Sequence, residues 1–334
     1  MNPLPNDLLL SKKRKGIINT DLDGILSGII LHNILNWDIV GFCDSGEYIW
    51  LDNSKYLNID ELVFIDMFVV PPGFKCIDQH IIAFDSKQND LLASNPNKLN
   101  PNLINERYLT PSTSYSTKYP FGTIHFIIAS LERLGYEFEV NLMKPITSGI
   151  KLIDIILRAD DTMLTSCFSN YTNNAESWWN WLILYSKNGH ITKQLYDYIR
   201  MSKSNLWLTQ IKLKKLLIAD LLKSSPFYCS SNDGGYSGIN ELGNKKLKKY
   251  VKEYIFFMSE IIGMKCFDLE FKFNSIKGIA DRTTFSNKTI EEITTNRDYF
   301  LFSYAFVRSL YRKDNFSYTL MPLKVLDMGF GKIN

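Results

Sequence analysis

Two aspartates stand one residue apart in NTDLDGILSG, residues 19–28, directly after the apolar run GII. Adjacent carboxylates repel unless a cation or a shared proton lies between them. Asp21 and Asp23 are therefore either the solvated start of a helix or half of a metal site. The pattern repeats downstream: LVFID ends in Asp66, and KCID ends in Asp78, followed at once by Gln79 and His80. In a parallel sheet, ligands lie beyond the carboxyl ends of the strands. Neighbouring strands of this kind would gather four carboxylates, an amide and an imidazole at one edge. One or two hard divalent cations would relieve that charge. Taken singly, the residues have plainer readings: Asp23 as the cap of the helix that follows, His80 as a satisfied strand-end histidine. Gly24 and Ser27 fit a tight strand-to-helix turn whose amides face a phosphate, which makes Ser27 a candidate substrate contact.

The elements that must position these residues are legible as periodicity. GIINT reads as a first strand, and DGILSGIILHNILN as a helix with Leu26, Ile30 and Ile34 on one stripe. DIVGFCD, ELVFIDMFV and FKCIDQHI read as further strands. Strands alternating with helices predict an α/β fold with a mostly parallel, doubly wound sheet. PFGTIHFIIASLERLG predicts a helix with Pro120 near its start and Gly135 as its stop, and GIKLIDIILRADD a helix ending in Asp160 and Asp161. AESWWNWLILYSKNG extends the helical region to Gly189.

The expected organisation is a metal-binding unit over 1–200, a helical connector over 201–222, and a smaller α+β unit over 223–334. In that last unit NKKLKKYVKEYIFFMSEIIG reads as a lysine-heavy helix, and FDLEFKF and FSYTLM as strands.

Bulk properties narrow the class. The chain has 334 residues, 45% of them hydrophobic and 22% charged, as in ordinary soluble globular proteins. Its longest apolar runs, such as GIILHNIL, are too short and too interrupted for a membrane span. In MNPLPNDLLLSKKRKG the charges follow the apolar triplet, an order that points away from a secretory leader. Five cysteines lie far apart without a CxxC pair, which fits a reducing cytoplasm. Residues 201–334 carry 21 Lys and Arg against 13 Asp and Glu, whereas residues 1–200 carry 17 against 22. An acidic front half suits a cation, and a basic back half suits a phosphate-rich ligand or, equally, a solvated helix face.

DLDGILSGIIL, VFID and IDQHI, in this order and spacing, resemble the motifs of the DHH phosphoesterases over about residues 15–166. The resemblance implies a site of two manganese ions that activates water against a phosphodiester or phosphoanhydride. By that resemblance Asp21 and Asp23 each hold a metal, Asp66 bridges, and Asp160 or Asp161 in ILRADD completes the set. Asp78 and His80 are then the catalytic pair, with His80 facing the scissile phosphate. Two positions depart from the family pattern: Ile17 and Gln79 stand where it has histidine ligands. An oxygen-rich site of this kind leans towards Mg²⁺ alongside Mn²⁺.

The resemblance further implies a substrate that is single-stranded nucleic acid, an oligonucleotide or a nucleotide. Lys277 and Arg282 in SIKGIADRTTFSN are candidate phosphate contacts. The family's glycine-rich GGGH segment is not present; NDGGYSG, residues 232–238, is its weak counterpart. Two other readings compete. One is a binding protein whose site is disabled by Ile17 and Gln79. The other is a phosphatase similar to the haloacid dehalogenases, with Asp21 as nucleophile and Asp23 as acid, which leaves VFID and IDQHI unexplained.

Overall fold

The computed structural model describes residues 10, 13–43, 48–55, 57, 61–80, 83, 86–105, 117–167, 172–203, 207–227, 230–231, 237–238, 246–284, 286–295, 298–309, 312–323 and 325. Most of NDGGYSG therefore lies outside the described residues.

The main sheet is built from β1 (Lys15–Asn19), β2 (Asp38–Cys43), β3 (Tyr48–Asp52), β4 (Leu62–Ile65), β5 (Lys75–Ile77) and β6 (Lys98–Leu99). Two small hairpins follow, β7–β8 (Pro145–Thr147, Ile150–Lys151) and β9–β10 (Ser230–Ser231, Ser237–Gly238). The last strands are β11 (Phe273–Lys277), β12 (Ile279–Thr284), β13 (Tyr299–Ser309) and β14 (Arg312–Pro322). The main sheet has the order β11-β3-β2-β1-β4-β5-β6. Strands β2, β1, β4, β5 and β6 run parallel; β3 adds antiparallel to β2 at one edge, and β11 pairs antiparallel with β3 beyond it.

This is the expected α/β architecture with a mostly parallel sheet. The antiparallel edge was not anticipated; YIWLD is short and lies only a few residues beyond β2.

Alternation along the strands divides the core between two faces. Ile18, Ile65, Ile77 and Leu99 point into a large core, Ile17, Phe64 and Cys76 into a smaller one. The helices of the large core include α1 (Leu22–Leu35), α3 (Thr123–Arg133), α4 (Thr172–Tyr185), α5 (His190–Ser202), α6 (Trp207–Lys223) and α7 (Lys249–Ile262). On the opposite face lie Leu92 of α2 (Ser86–Ala93) and the three-stranded sheet β12-β14-β13. Phe302 of β13 meets Phe64 edge-on at 5.5 Å, and Tyr304 meets Phe68 at 5.4 Å. Such aromatic pairs contribute roughly 0.5–1.5 kcal/mol each beyond burial.

The expected boundary at residue 223 falls inside a shared core. Leu222, Phe227, Val251, Tyr254, Ile255 and Met258 bury in the same cluster as α1 and α3. Strand β11 then hydrogen-bonds to β3 over five residue pairs, Phe273 with Asp52 through Lys277 with Tyr48. The physical reason is that β3 exposes a row of unpaired backbone groups, and β11 covers it. From β12 onward the described strands form a separate three-stranded sheet.

Register sets the functional edge. Ile18 lies beside Ile65, Ile65 beside Ile77, and Ile77 beside Leu99. The residue after each is polar: Asn19, Asp66, Asp78 and Asn100. One rung past the apolar core, four neighbouring strands thus deliver two carboxylates and two amides to the same rim.

Candidate metal centre at the sheet edge

Helix α1 starts immediately at this rim. Asp21 is its N-cap: the Gly24 N–H donates to Asp21 Oδ1 at 2.9 Å. A Cβ at Gly24 would lie 2.4 Å from the Asn19 carbonyl oxygen, so only glycine lets the helix turn so tightly off β1.

The cap expected at Asp23 is therefore supplied by Asp21, and Asp23 caps a different helix. Its two oxygens accept the N–H groups of Thr123 (2.6 Å) and Ile124 (2.7 Å), at the N-terminus of α3. The helix dipole favours a carboxylate there. Gly122 makes room for it, since a Cβ would stand 2.7 Å from Asp23 Oδ2.

Asp66 is held in the left-handed region at φ 60°. Six described non-glycine residues have positive φ, and Asp66, Asp160 and Asp161 are three of them. Left-handed backbone outside glycine costs on the order of 1 kcal/mol or more, and such strain concentrates at functional sites. The Thr123 hydroxyl donates to Asp66 Oδ1 (2.7 Å), and the Asn19 amide donates to both Asp66 Oδ2 and Asp21 Oδ2 (3.1 Å each).

Asp78, fully buried, accepts from the His80 N–H (2.8 Å) and from Asn100 Nδ2 (3.4 Å), and its Oδ1 lies 2.6 Å from His80 Nδ1. His80 Nδ1 is 4.0 Å from Asp66 Oδ1, and its Nε2 is 3.6 Å from Asp160 Oδ2. Gln79 donates to Asp160 and lies 2.9 Å from His80 Nε2.

Asp66, Asp78 and His80 each offer a ligand atom, all within 4.8 Å of one another. Asp160 adjoins this trio through His80 and Gln79. Asp161 points elsewhere, to Arg158 Nη1 at 2.5 Å and Lys215 Nζ at 3.0 Å.

Burial and mutual repulsion together raise the proton affinity of these acids. Burial pushes Asp66 well above the usual carboxylate range, and Asp23, Asp21 and Asp160 push it further, against the Thr123 hydrogen bond. Burial likewise raises Asp23, with Asp160 and Asp21 adding to it and the α3 amides opposing. Asp160 rises to about 6, mainly through burial, with His80 pulling it down. For His80, burial lowers the pKa, but Asp78 and then Asp160 outweigh it and raise the value to about 9. A proton on His80 Nδ1 supplies the positive charge that a cation at the same place would supply.

Residues outside the sequence-derived set complete the site. Thr123 clamps Asp66 by its hydroxyl and Asp23 by its amide. Asn19 spans Asp21 and Asp66, and Asn100 supports Asp78. The Lys118 charge bears on both His80 and Asp160. Tyr119 is fully buried, its hydroxyl has no hydrogen-bond partner, and Asp23 and Asp160 raise its pKa beyond the large effect of burial. Asn19 lay inside the quoted NTDLDG, but its role became visible only with the register.

Three candidates stand apart from this centre. Ser27 is fully buried within α1, its hydroxyl without a partner. Lys277 lies exposed on β11, its ammonium 5.5 Å from the Tyr48 ring centre; three strand spacings, about 14 Å, separate β11 from β1. Arg282 is exposed on β12, in the separate three-stranded sheet. Ile17 fills the smaller core and bears no relation to the polar rim.

Asp66, Asp78 and His80 form a group that could hold a metal ion. A second cation between Asp21 and Asp66 would have to displace the Asn19 amide. Together, fold and site define an α/β protein with a buried carboxylate–histidine cluster at the carboxyl edge of a mostly parallel sheet. No family model, no curated protein and no solved structure matches the chain. Among the described residues, no helix is long and apolar enough to cross a membrane.

Proposed function

We propose that this protein is a divalent-metal-dependent phosphoesterase of the reducing cytoplasm, hydrolysing a nucleotide or short single-stranded nucleic acid. The observation that carries this reading is the convergence of buried Asp66 and Asp78 with half-buried His80 and Asp160. When bound, Mn²⁺ or Mg²⁺ supplies charge that polarises a phosphoryl oxygen and acidifies water at neutral pH. Asp66 and Asp78 would hold the cation, each fixed by a neighbour: Thr123 for Asp66, Asn100 for Asp78. Asp78 also orients the His80 ring, so that Nε2 is directed to the side of Asp160 and meets a substrate oxygen. Lys118 adds positive charge for the same anion. Asp160 accepts a proton near neutrality, a role suited to its raised pKa.

One observation favours a second reading, binding without turnover. The Asn19 amide bridges Asp21 and Asp66, and the Gln79 amide occupies Asp160 beside His80, so carboxylate oxygens that would otherwise be open to further ligation are engaged.

The test is incubation of purified protein with Mn²⁺ or Mg²⁺ and short oligonucleotides, dinucleotides and cyclic dinucleotides. We expect hydrolysis by the wild type and a loss of at least a hundredfold in Asp66→Ala. If both proteins are equally inert on every substrate, the enzyme reading fails; calorimetric binding of a nucleotide by that inert protein would leave the second reading standing.

A further inference from the structure

Beyond the acidic edge, the turn at residues 157–164 and helix α6 enclose a pocket of about 260 Å³, counting its open mouth. Arg158, Lys214 and Lys215 line it together with Asp154 and Asp161, which leaves one positive charge in excess among these five side chains. Lys214 is engaged by Asp154 at 2.7 Å and by the Tyr198 hydroxyl at 2.6 Å. Lys215 is engaged by Asp161.

Arg158 is the unusual member. It is 4% exposed, and its Nη1 donates to Asp161. Its Nε and Nη2, both buried, have no hydrogen-bond partner. A buried donor left unmade costs about 1–3 kcal/mol, more for a charged group. These two nitrogens form the side edge of the guanidinium, where two N–H bonds run parallel. That edge matches two oxygens of one oxyanion.

We propose that this pocket is an anion site, in which an oxyanion accepts from Nε and Nη2 of Arg158 with Lys215 as the adjacent counter-charge. The ligand class is a phosphate group or a carboxylate, both of which present two oxygens at the required spacing. The inference stands independently of the reading at the metal centre, because its groups and its test differ from those of Asp66, Asp78 and His80.

The test is a thermal-shift titration of the metal-free full chain with sodium phosphate and, separately, sodium acetate, each against sodium chloride at equal ionic strength. A ligand that binds only the folded state raises the melting temperature, the rise setting in near its Kd and then growing with the logarithm of its concentration. We expect a concentration-dependent rise with phosphate or acetate that chloride does not reproduce. The better of the two identifies the ligand class. In Arg158→Lys, which keeps the charge but loses the paired edge, the concentration needed for a given rise should be at least tenfold higher. Should that variant not fold, Lys215→Met, which leaves the Arg158–Asp161 pair in place, should raise it severalfold. The proposal is overturned if neither anion outperforms chloride, or if the folded variants respond like the wild type.

Discussion

At the scale of single residues, the charged groups of this protein divide into those that have a partner within the fold and those that lack one. His125 belongs to neither extreme. It is buried in α3, its Nδ1 lies 3.2 Å from the Gly122 carbonyl, and burial depresses its pKa to about 4. The native state therefore keeps the ring neutral where the unfolded chain, titrating near 6.5, already binds a proton. The resulting stabilisation is complete above pH 6.5 and is lost as pH falls towards 4. Between pH 7 and pH 5 the loss should be about 2 kcal/mol from this group alone. Urea unfolding at both pH values checks it: the drop should shrink by that amount in His125→Phe, whose ring does not titrate.

The aspartates of the rim were legible because each closes an apolar run. Thr123 was not legible, since nothing in TIHF announces that its hydroxyl reaches a strand end 57 residues earlier. The choice between Asp160 and Asp161 also lay beyond the sequence. Two successive left-handed residues turn one carboxylate to His80 and the other to Arg158 and Lys215.

At the scale of elements, acids at one helix hold the start of another. Asp23 of α1 accepts the first amides of α3. Near the other end of α3, Glu132 accepts the N–H groups of Ile191 (2.6 Å) and Thr192 (3.2 Å) and the Thr192 hydroxyl (2.6 Å), at the N-terminus of α5. Glu132→Gln removes the charge from this cap and should destabilise the protein by about 1–2 kcal/mol, measured by chemical denaturation. Metal binding by calorimetry should be unaffected, because the substitution lies at the far end of α3 from Thr123. The helices themselves were well marked in the sequence. Gly135 follows α3 with φ 83°, and Gly263 closes α7 with φ 76°, as apolar stripes ending in glycine suggest. The pairing of caps between helices was not marked, because a capping acid far away in the chain leaves no local spacing to read.

At the scale of the whole molecule, the sheet joins the two ends of the chain. A basic back half suggested a separate substrate-binding unit, yet α7 and β11 complete the core and the edge of the front half. A fragment spanning residues 1–222 should therefore fail to fold. It would expose the surfaces that Val251, Tyr254, Ile255 and Met258 cover and leave β3 as a bare edge. Circular dichroism on thermal denaturation is the check: a cooperative transition in the fragment would show that the front half is self-sufficient. Composition could not reveal this arrangement. Charge asymmetry records what faces solvent, whereas membership of a sheet is decided by backbone groups that every residue carries alike.

The glycine at position 189 sits against the acid that joins two helices. A Cβ there would stand 2.1 Å from Glu132 Oε2. Any larger side chain must push on the carboxylate that ties α5 to α3, and α3 begins at the residue clamping Asp66. Crowding on that remote loop would thus loosen the joint between two helices, so surveys of destabilising substitutions should find hits far from the acidic rim.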